Sequence, residues 1–152
     1  MLNHIFAACL MTAAHNYAIP PQVLIGILHV EGGKIGQQVR NSNGTYDLGP
    51  MQINTLWTKV LAKEWGVSRS QAKRLIRDDA CTNVNVAAWI FRKNWNEAGS
   101  LRKAIAWYNS RTPHIGSKYR KKVIAQMKKH NLMPPKPSDK SVQKFAYVEK
   151  VK

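Results

Sequence analysis

Between a pair of prolines and a pair of glycines, the chain carries a helix whose apolar stripe ends in a carboxylate. In Pro20-Pro21-Gln22-Val23-Leu24-Ile25-Gly26-Ile27-Leu28-His29-Val30-Glu31-Gly32-Gly33, positions 24, 27, 28 and 31 share one helix face. Glu31 therefore points where Leu24, Ile27 and Leu28 point. The prolines suit a helix start and the glycines a stop, which sets the carboxylate at the negative end of the helix dipole. Lost hydration and that dipole both disfavour the charged form. A Glu so placed has a raised pKa and holds a proton near neutrality, as a general acid must. From this helix alone the other reading stays open, a helix-end Glu that turns out to water.

A chain of 152 residues with 44% hydrophobic content can enclose one core and is most simply one domain. No apolar run approaches the roughly 20 residues of a bilayer span, so no membrane span is expected. The charge narrows the partners: 24 Lys and Arg against 8 Asp and Glu give +16, a surface that attracts polyanions. Residues 118–152 hold 11 basic and 2 acidic side chains, a net +9 that leaves +7 for the rest. Nucleic acid, an anionic membrane face and acidic cell-wall polymers all fit such a charge.

Apart from one segment, the chain reads as short helices joined by turns. Residues 5–14 resemble a signal-peptide core, but no Lys or Arg precedes them and no small-x-small cleavage site follows, so they read as a first helix. Residues 34–50 lose helical periodicity and contain Asn43-Gly44, a strong turn signal, which makes 40–48 the place for a small β or turn element. Gly49-Pro50 is expected to open a helix to about Trp65, with Ile53, Leu56, Trp57, Val60 and Leu61 facing inward and Gly66 as its stop. Ser68-Arg69-Ser70-Gln71 has the form of a capping box and starts a basic helix through Arg77. Asp78 and Asp79 precede a helix burying Val84, Ala87, Ala88, Phe91 and Trp95 and ending at Gly99. Ser100 caps another through Tyr108, and residues 117–130 form a last basic helix burying Val123, Ile124 and Met127. Pro134-Pro135-Lys136-Pro137 ends regular structure, so 1–130 is read as the domain and 131–152 as a mobile cationic tail. The expected class is α+β, predominantly helical.

Cys9 and Cys81 lie 72 positions apart and fit no metal-ligand spacing; with no CxxC and no His-rich cluster, a zinc site is not expected. Composition leaves open two buried thiols or one long-range disulfide. A bridge would stabilise by roughly 4 kcal/mol in the chain-entropy model and would put the chain outside the reducing cytosol.

Two further segments gather polar groups able to grip a sugar or peptide polymer. Asn43-Gly44-Thr45-Tyr46-Asp47-Leu48-Gly49-Pro50-Met51-Gln52-Ile53-Asn54 is a glycine-bracketed loop whose Gln52 and Asn54 both donate and accept hydrogen bonds. Ala106-Trp107-Tyr108-Asn109-Ser110-Arg111 ends a helix with an aromatic hydroxyl, an amide and a cation together. Singly, each has a plain structural explanation: Trp107 and Tyr108 as core aromatics, Asn109 as a helix cap, Asn43-Gly44 as an ordinary turn.

Taken in order, Glu31 at the end of an apolar helix, then Tyr46-Asp47-Leu48-Gly49-Pro50-Met51-Gln52-Ile53-Asn54, then Tyr108-Asn109-Ser110 resemble the soluble lytic transglycosylases of lysozyme-like fold. The nearest likeness is to small specialised members that accompany secretion systems, conjugation machines and pili. It spans roughly residues 2–130, and the middle motif is the specific one. Cys9 and Asp79-Ala80-Cys81-Thr82-Asn83 match the family's cysteine pattern, which favours a disulfide and a periplasmic setting with any export signal absent or removed. Two departures stand out: Gly32 follows the Glu where the family usually has Ser, and Gly49-Pro50-Met51-Gln52 replaces the usual GLMQ. Pro50 is compatible with a helix start.

The resemblance implies cleavage of peptidoglycan between N-acetylmuramic acid and N-acetylglucosamine by Glu31, closing a 1,6-anhydro sugar. It implies Tyr108 orienting or contacting Glu31, with Tyr46, Met51, Gln52, Asn54 and Asn109 along the glycan. No metal or cofactor is implied; the partners are glycan strands, with components of a secretion, conjugation or pilus machine as further candidates, and the chain is expected to act as a monomer without specific nucleic acid. Asp47, 16 residues after Glu31, is the candidate second carboxylate for a muramidase side activity, weighed against an Asp bonded within its own loop near Gly49, the favoured reading. Two rivals keep a place. Trp65 to Ile76 has the form of a helix-turn-helix on a basic surface, pointing to DNA. The Gly32 departure leaves room for a catalytically silent glycan binder.

Overall fold

A computed structural model describes residues 3–134. Seven α-helices and a small sheet are formed among these residues: α1 (His4–Asn16), α2 (Pro21–Glu31), β1 (Gln38–Arg40), β2 (Tyr46–Leu48), β3 (Ile53–Asn54), a 3-10 turn (Thr55–Trp57), α3 (Thr58–Trp65), α4 (Arg69–Asp78), α5 (Ala80–Ala98), α6 (Leu101–Asn109) and α7 (Pro113–Lys129). The strands form an antiparallel meander in which Asp47 lies opposite Val39 on one side and Asn54 on the other. The α+β, predominantly helical expectation holds. No helix among the described residues is long and apolar enough to cross a membrane.

The core is assembled around α5. Its Val84, Ala87, Ala88 and Phe91 are buried at helical spacing, against α1, α4 and α6. Asp79 caps it by accepting from the Thr82 N–H, and Gly99 ends it in the left-handed conformation. Ser68 and Gln71 form both bonds of the capping box of α4. Cys9 of α1 and Cys81 in the first turn of α5 form a disulfide, their Cα atoms 5.1 Å apart, so the packing of those two helices brings the distant thiols together.

The helix bearing Glu31 follows its local signals. Pro21 occupies its first turn, Leu24 and Ile27 are fully buried, and Gly32 ends it with φ of 60°, a left-handed conformation that suits a residue without Cβ. Gly26 lets α2 lie directly on α7, since a Cβ there would come within 2.7 Å of Met127 Cγ and 3.2 Å of Val123 Cγ1.

Four expectations are corrected. No helix begins at Gly49-Pro50: residues 49–52 form a turn, Ile53 and Asn54 a third strand beyond the 40–48 segment, and α3 starts only at Thr58. The backbone groups a helix would use there have other partners. Asn83 Oδ1 accepts the Met51 N–H, Tyr108 donates to the Met51 carbonyl, and Gln52 takes a left-handed φ of 53°. Leu56, expected inside, is 72% exposed, and Val60 is exposed as well. The last helix starts at Pro113 rather than Ser117, with proline in its first turn and Gly116 buried inside it beside Ala106. Ile124 is half-buried and not a core residue like Val123 and Met127. The expected cationic tail lies, beyond residue 134, outside the described residues.

Candidate active site

A cleft of about 290 Å³ runs between the sheet and the helices, near the lower end of the roughly 300–1,000 Å³ usual for ligand pockets. Glu31, Asn41, Asn43, Asp47, Gln52, Ile53, Asn54, Trp57, Ile90, Tyr108 and Asn109 line it. Most of these are carboxylates, amides and a phenol, the groups that hydrogen-bond sugar hydroxyls and acetamido substituents.

Glu31 does not turn out to water. Its Oε1 accepts a 2.7 Å hydrogen bond from the hydroxyl of Tyr119, a buried residue of α7. Burial pushes the Glu31 carboxyl up to about 7; the Tyr119 hydrogen bond opposes this by favouring the carboxylate, and the negative charge of Asp47 adds to the rise. The group is thus poised to give and take a proton near neutral pH. Burial and the nearby Glu31 charge raise the Tyr119 phenol, so it stays a donor. The resemblance assigned the Glu31 contact to Tyr108, but the Tyr108 hydroxyl donates to the Met51 carbonyl at 2.9 Å. The two tyrosine rings lie 6.3 Å apart, nearly parallel, behind the carboxylate. Burial, then Glu31 and Asp47, push the Tyr108 phenol well up.

The turn carrying Gln52 is fixed by a residue outside the cleft. Asn83 is fully buried; its Oδ1 accepts from the Met51 N–H at 2.8 Å, and its Nδ2 donates to the Leu48 and Ile76 carbonyls, each at 2.9 Å. Gln52 Nε2 donates to the Gly49 carbonyl at 2.9 Å. On the sheet, Asn54 Nδ2 donates to Asp47 Oδ1 at 3.1 Å and to Thr45 Oγ1 at 3.0 Å. Asp47 therefore faces the same cleft as Glu31 while tied to the neighbouring strand rather than to its own loop at Gly49.

Of the expected site residues, Glu31, Asp47, Gln52, Asn54, Tyr108 and Asn109 meet in this cleft. Met51 does not reach it: its side chain is fully buried, and its contribution is the backbone that Asn83 and Tyr108 hold. Tyr46 lies outside the lining, its ring beneath the Lys73 ammonium at 4.6 Å. Sequence reading missed Tyr119, Asn83, Asn41, Trp57 and Ile90. The first two had no local signal beyond a tyrosine on the buried face of α7 and an asparagine on the apolar face of α5; Trp57 had been placed on the inner face of a helix that does not form there. Among the described residues no group of three or more His, Cys, Asp or Glu side chains gathers to hold a metal ion.

Residues 8–131 match the family model described as the Transglycosylase SLT domain. The chain belongs to the SLT transglycosylase family. It is also similar to the Invasion protein IagB of Salmonella typhimurium, strains SL1344 and LT2, and of Salmonella typhi. Each is 31% identical over 133 residues, covering 84% of this chain and 80% of the relative. As a member of the SLT family it has the lysozyme-like fold, in which helices and a small sheet flank one cleft, and peptidoglycan as its substrate class.

Proposed function

We propose that the chain cleaves peptidoglycan strands between N-acetylmuramic acid and N-acetylglucosamine as a lytic transglycosylase, with Glu31 as its single acid and base. The observation that carries this reading is a carboxyl group raised by burial to about 7, held by Tyr119 at the wall of a polar cleft. Glu31 donates its proton to the glycosidic oxygen as the bond to the muramic anomeric carbon breaks. The resulting carboxylate then removes the proton from the muramic 6-hydroxyl, whose oxygen closes onto that carbon. A 1,6-anhydro ring forms and Glu31 regains its proton. Because the nucleophile belongs to the substrate, a second carboxylate is not required, in contrast to most glycosidases.

Gln52, Asn54, Tyr108 and Asn109 hold the glycan in this reading, and Asp47 tunes the charge of the cleft. The setting is the periplasm, which agrees with the Cys9–Cys81 disulfide. In this reading the wall is opened locally for a secretion, conjugation or pilus apparatus, and the relatives it resembles carry the name invasion protein. The test is digestion of purified sacculi with mass spectrometry of the soluble products. Fragments with 1,6-anhydromuramic ends are expected; reducing ends as the main product would assign hydrolysis, and binding without release would assign a silent glycan binder.

A further inference from the structure

Beside the polar groups the cleft has an apolar wall of Ile53, Trp57 and Ile90. Trp57, in the 3-10 turn after β3, is half-buried and meets Trp89 of α5 edge to face, ring centres 5.4 Å apart at 77°. In such a pair Trp89 covers at most one face of Trp57. The indole therefore keeps apolar surface toward the cleft, where the C–H face of a sugar ring can stack. One turn along α5 from Ile90, on the same helix face, stands Lys93. Its side chain is exposed, its ammonium lies 5.4 Å over the Trp89 ring, and among the described residues it makes no ion pair.

We propose that Trp57, backed by Trp89, and Lys93 together form a subsite for a peptide-bearing sugar, Trp57 stacking on the pyranose and Lys93 taking a carboxylate of the peptide. The proposal rests on the peptidoglycan reading and adds which strands are preferred: those that still carry their peptides. The two parts work at different strengths. Stacking in a partly dry cleft is worth about tenfold in affinity, whereas an exposed ammonium–carboxylate pair is worth about threefold and weakens with salt.

The test uses the full chain carrying Glu31→Gln, so that bound glycan is not consumed, and calorimetry with two tetrasaccharides, one peptide-bearing and one stripped of peptide. Trp57→Ala is expected to weaken both ligands about tenfold, and Trp57→Phe to restore most of the loss. Lys93→Met is expected to weaken only the peptide-bearing ligand, about threefold, and to abolish the salt dependence of its preference. Unchanged binding in Trp57→Ala with an unchanged melting temperature overturns the stacking role. Equal effects of Lys93→Met on both ligands, or none, overturn the carboxylate contact. Binding of neither ligand at millimolar concentration by the Glu31→Gln chain overturns the subsite as a whole. Should the stated binding pattern hold while the native chain fails to cleave sacculi, the subsite stands and the proposed reaction is what fails.

Discussion

The two walls of the cleft each present a carboxylate, and they hold it in different ways. On the helical wall, Glu31 ends an apolar helix and receives its hydrogen bond from Tyr119, 88 residues away, across the packed faces of α2 and α7. On the sheet wall, Asp47 is bonded by Asn54, seven residues away, within a lattice of short-range polar contacts among Asn41, Asn43, Thr45 and Asn54. Packed helices remove water from a carboxyl and raise it; the strand meander ties its carboxylate to the side-chain amide of Asn54 on the next strand. The same functional group is thereby prepared as an acid on one wall and as a fixed, hydrogen-bonded charge on the other.

The sharpest way to break this comparison is Glu31→Gln. Loss of the acid should lower strand cleavage at least about a hundredfold with the fold retained; activity within a few-fold of the parent would remove the acid from the helical wall. The same variant reports on burial. With its pKa raised to about 7 in the folded protein from an ordinary 4.5, the native protein holds the proton more tightly than the unfolded chain, so it is stabilised at low pH and loses that stability as pH rises between those values. Gln does not titrate. Denaturant unfolding should find the variant more stable than the parent at pH 8, by on the order of 3 kcal/mol, with the gap vanishing below about pH 4.

Asn83 joins the walls, and its removal is the next largest effect. Asn83→Ala leaves the Leu48 and Ile76 carbonyls and the Met51 N–H buried without this partner, and should cost about 2–4 kcal/mol of stability. A loss under about 0.5 kcal/mol in urea unfolding would mean that the Gly49–Gln52 turn holds itself.

The two carboxylate partners should move the pH profile in opposite directions. Tyr119 lowers the Glu31 pKa by favouring the carboxylate, so Tyr119→Phe should shift the alkaline limb of activity upward, with a rate loss of roughly tenfold at the optimum, equivalent to about 1.4 kcal/mol. Asp47 raises it by repulsion, so Asp47→Asn should shift that limb downward. Its effect on rate should be the smallest of the series, and 1,6-anhydro ends should remain the main product. Shifts of the same sign in both variants would contradict the contrast between the walls. Reducing ends that vanish in Asp47→Asn would instead make Asp47 a participant in hydrolysis.

Much of the scaffold was legible from neighbouring residues. The span of α2, the capping box of α4, the Asp79 cap and Gly99 stop of α5 and the Ser100 cap of α6 are local chemistry, in which a side chain bonds a backbone group three residues away or a glycine accepts a left-handed turn. The failures cluster where local preference met a distant competitor. Residues 53–61 carry a helix-like pattern of Ile53, Leu56, Trp57, Val60 and Leu61, yet Asn83 and Tyr108 claim the backbone of Met51 and hold residues 49–54 open as turn and strand, so the helix starts only at Thr58. Those bonds span 32 and 57 residues, so no window of the sequence contains both partners.

By itself the sequence determined that a carboxylate would stand on the apolar face of a terminated helix, that the chain would be mostly helical with a small sheet near residue 47, and that its charge would favour an anionic polymer. Periodicity, caps and composition are properties of adjacent residues or of the whole count, and they survive without coordinates. Tertiary structure alone decided that Tyr119 rather than Tyr108 bonds Glu31, that Met51 serves through its backbone, that Trp57 turns to the cleft, and how far the Glu31 carboxyl is raised. Each of these depends on which distant groups share a dry volume, and burial and hydrogen-bond competition arise only once α2, α5, α6 and α7 have packed.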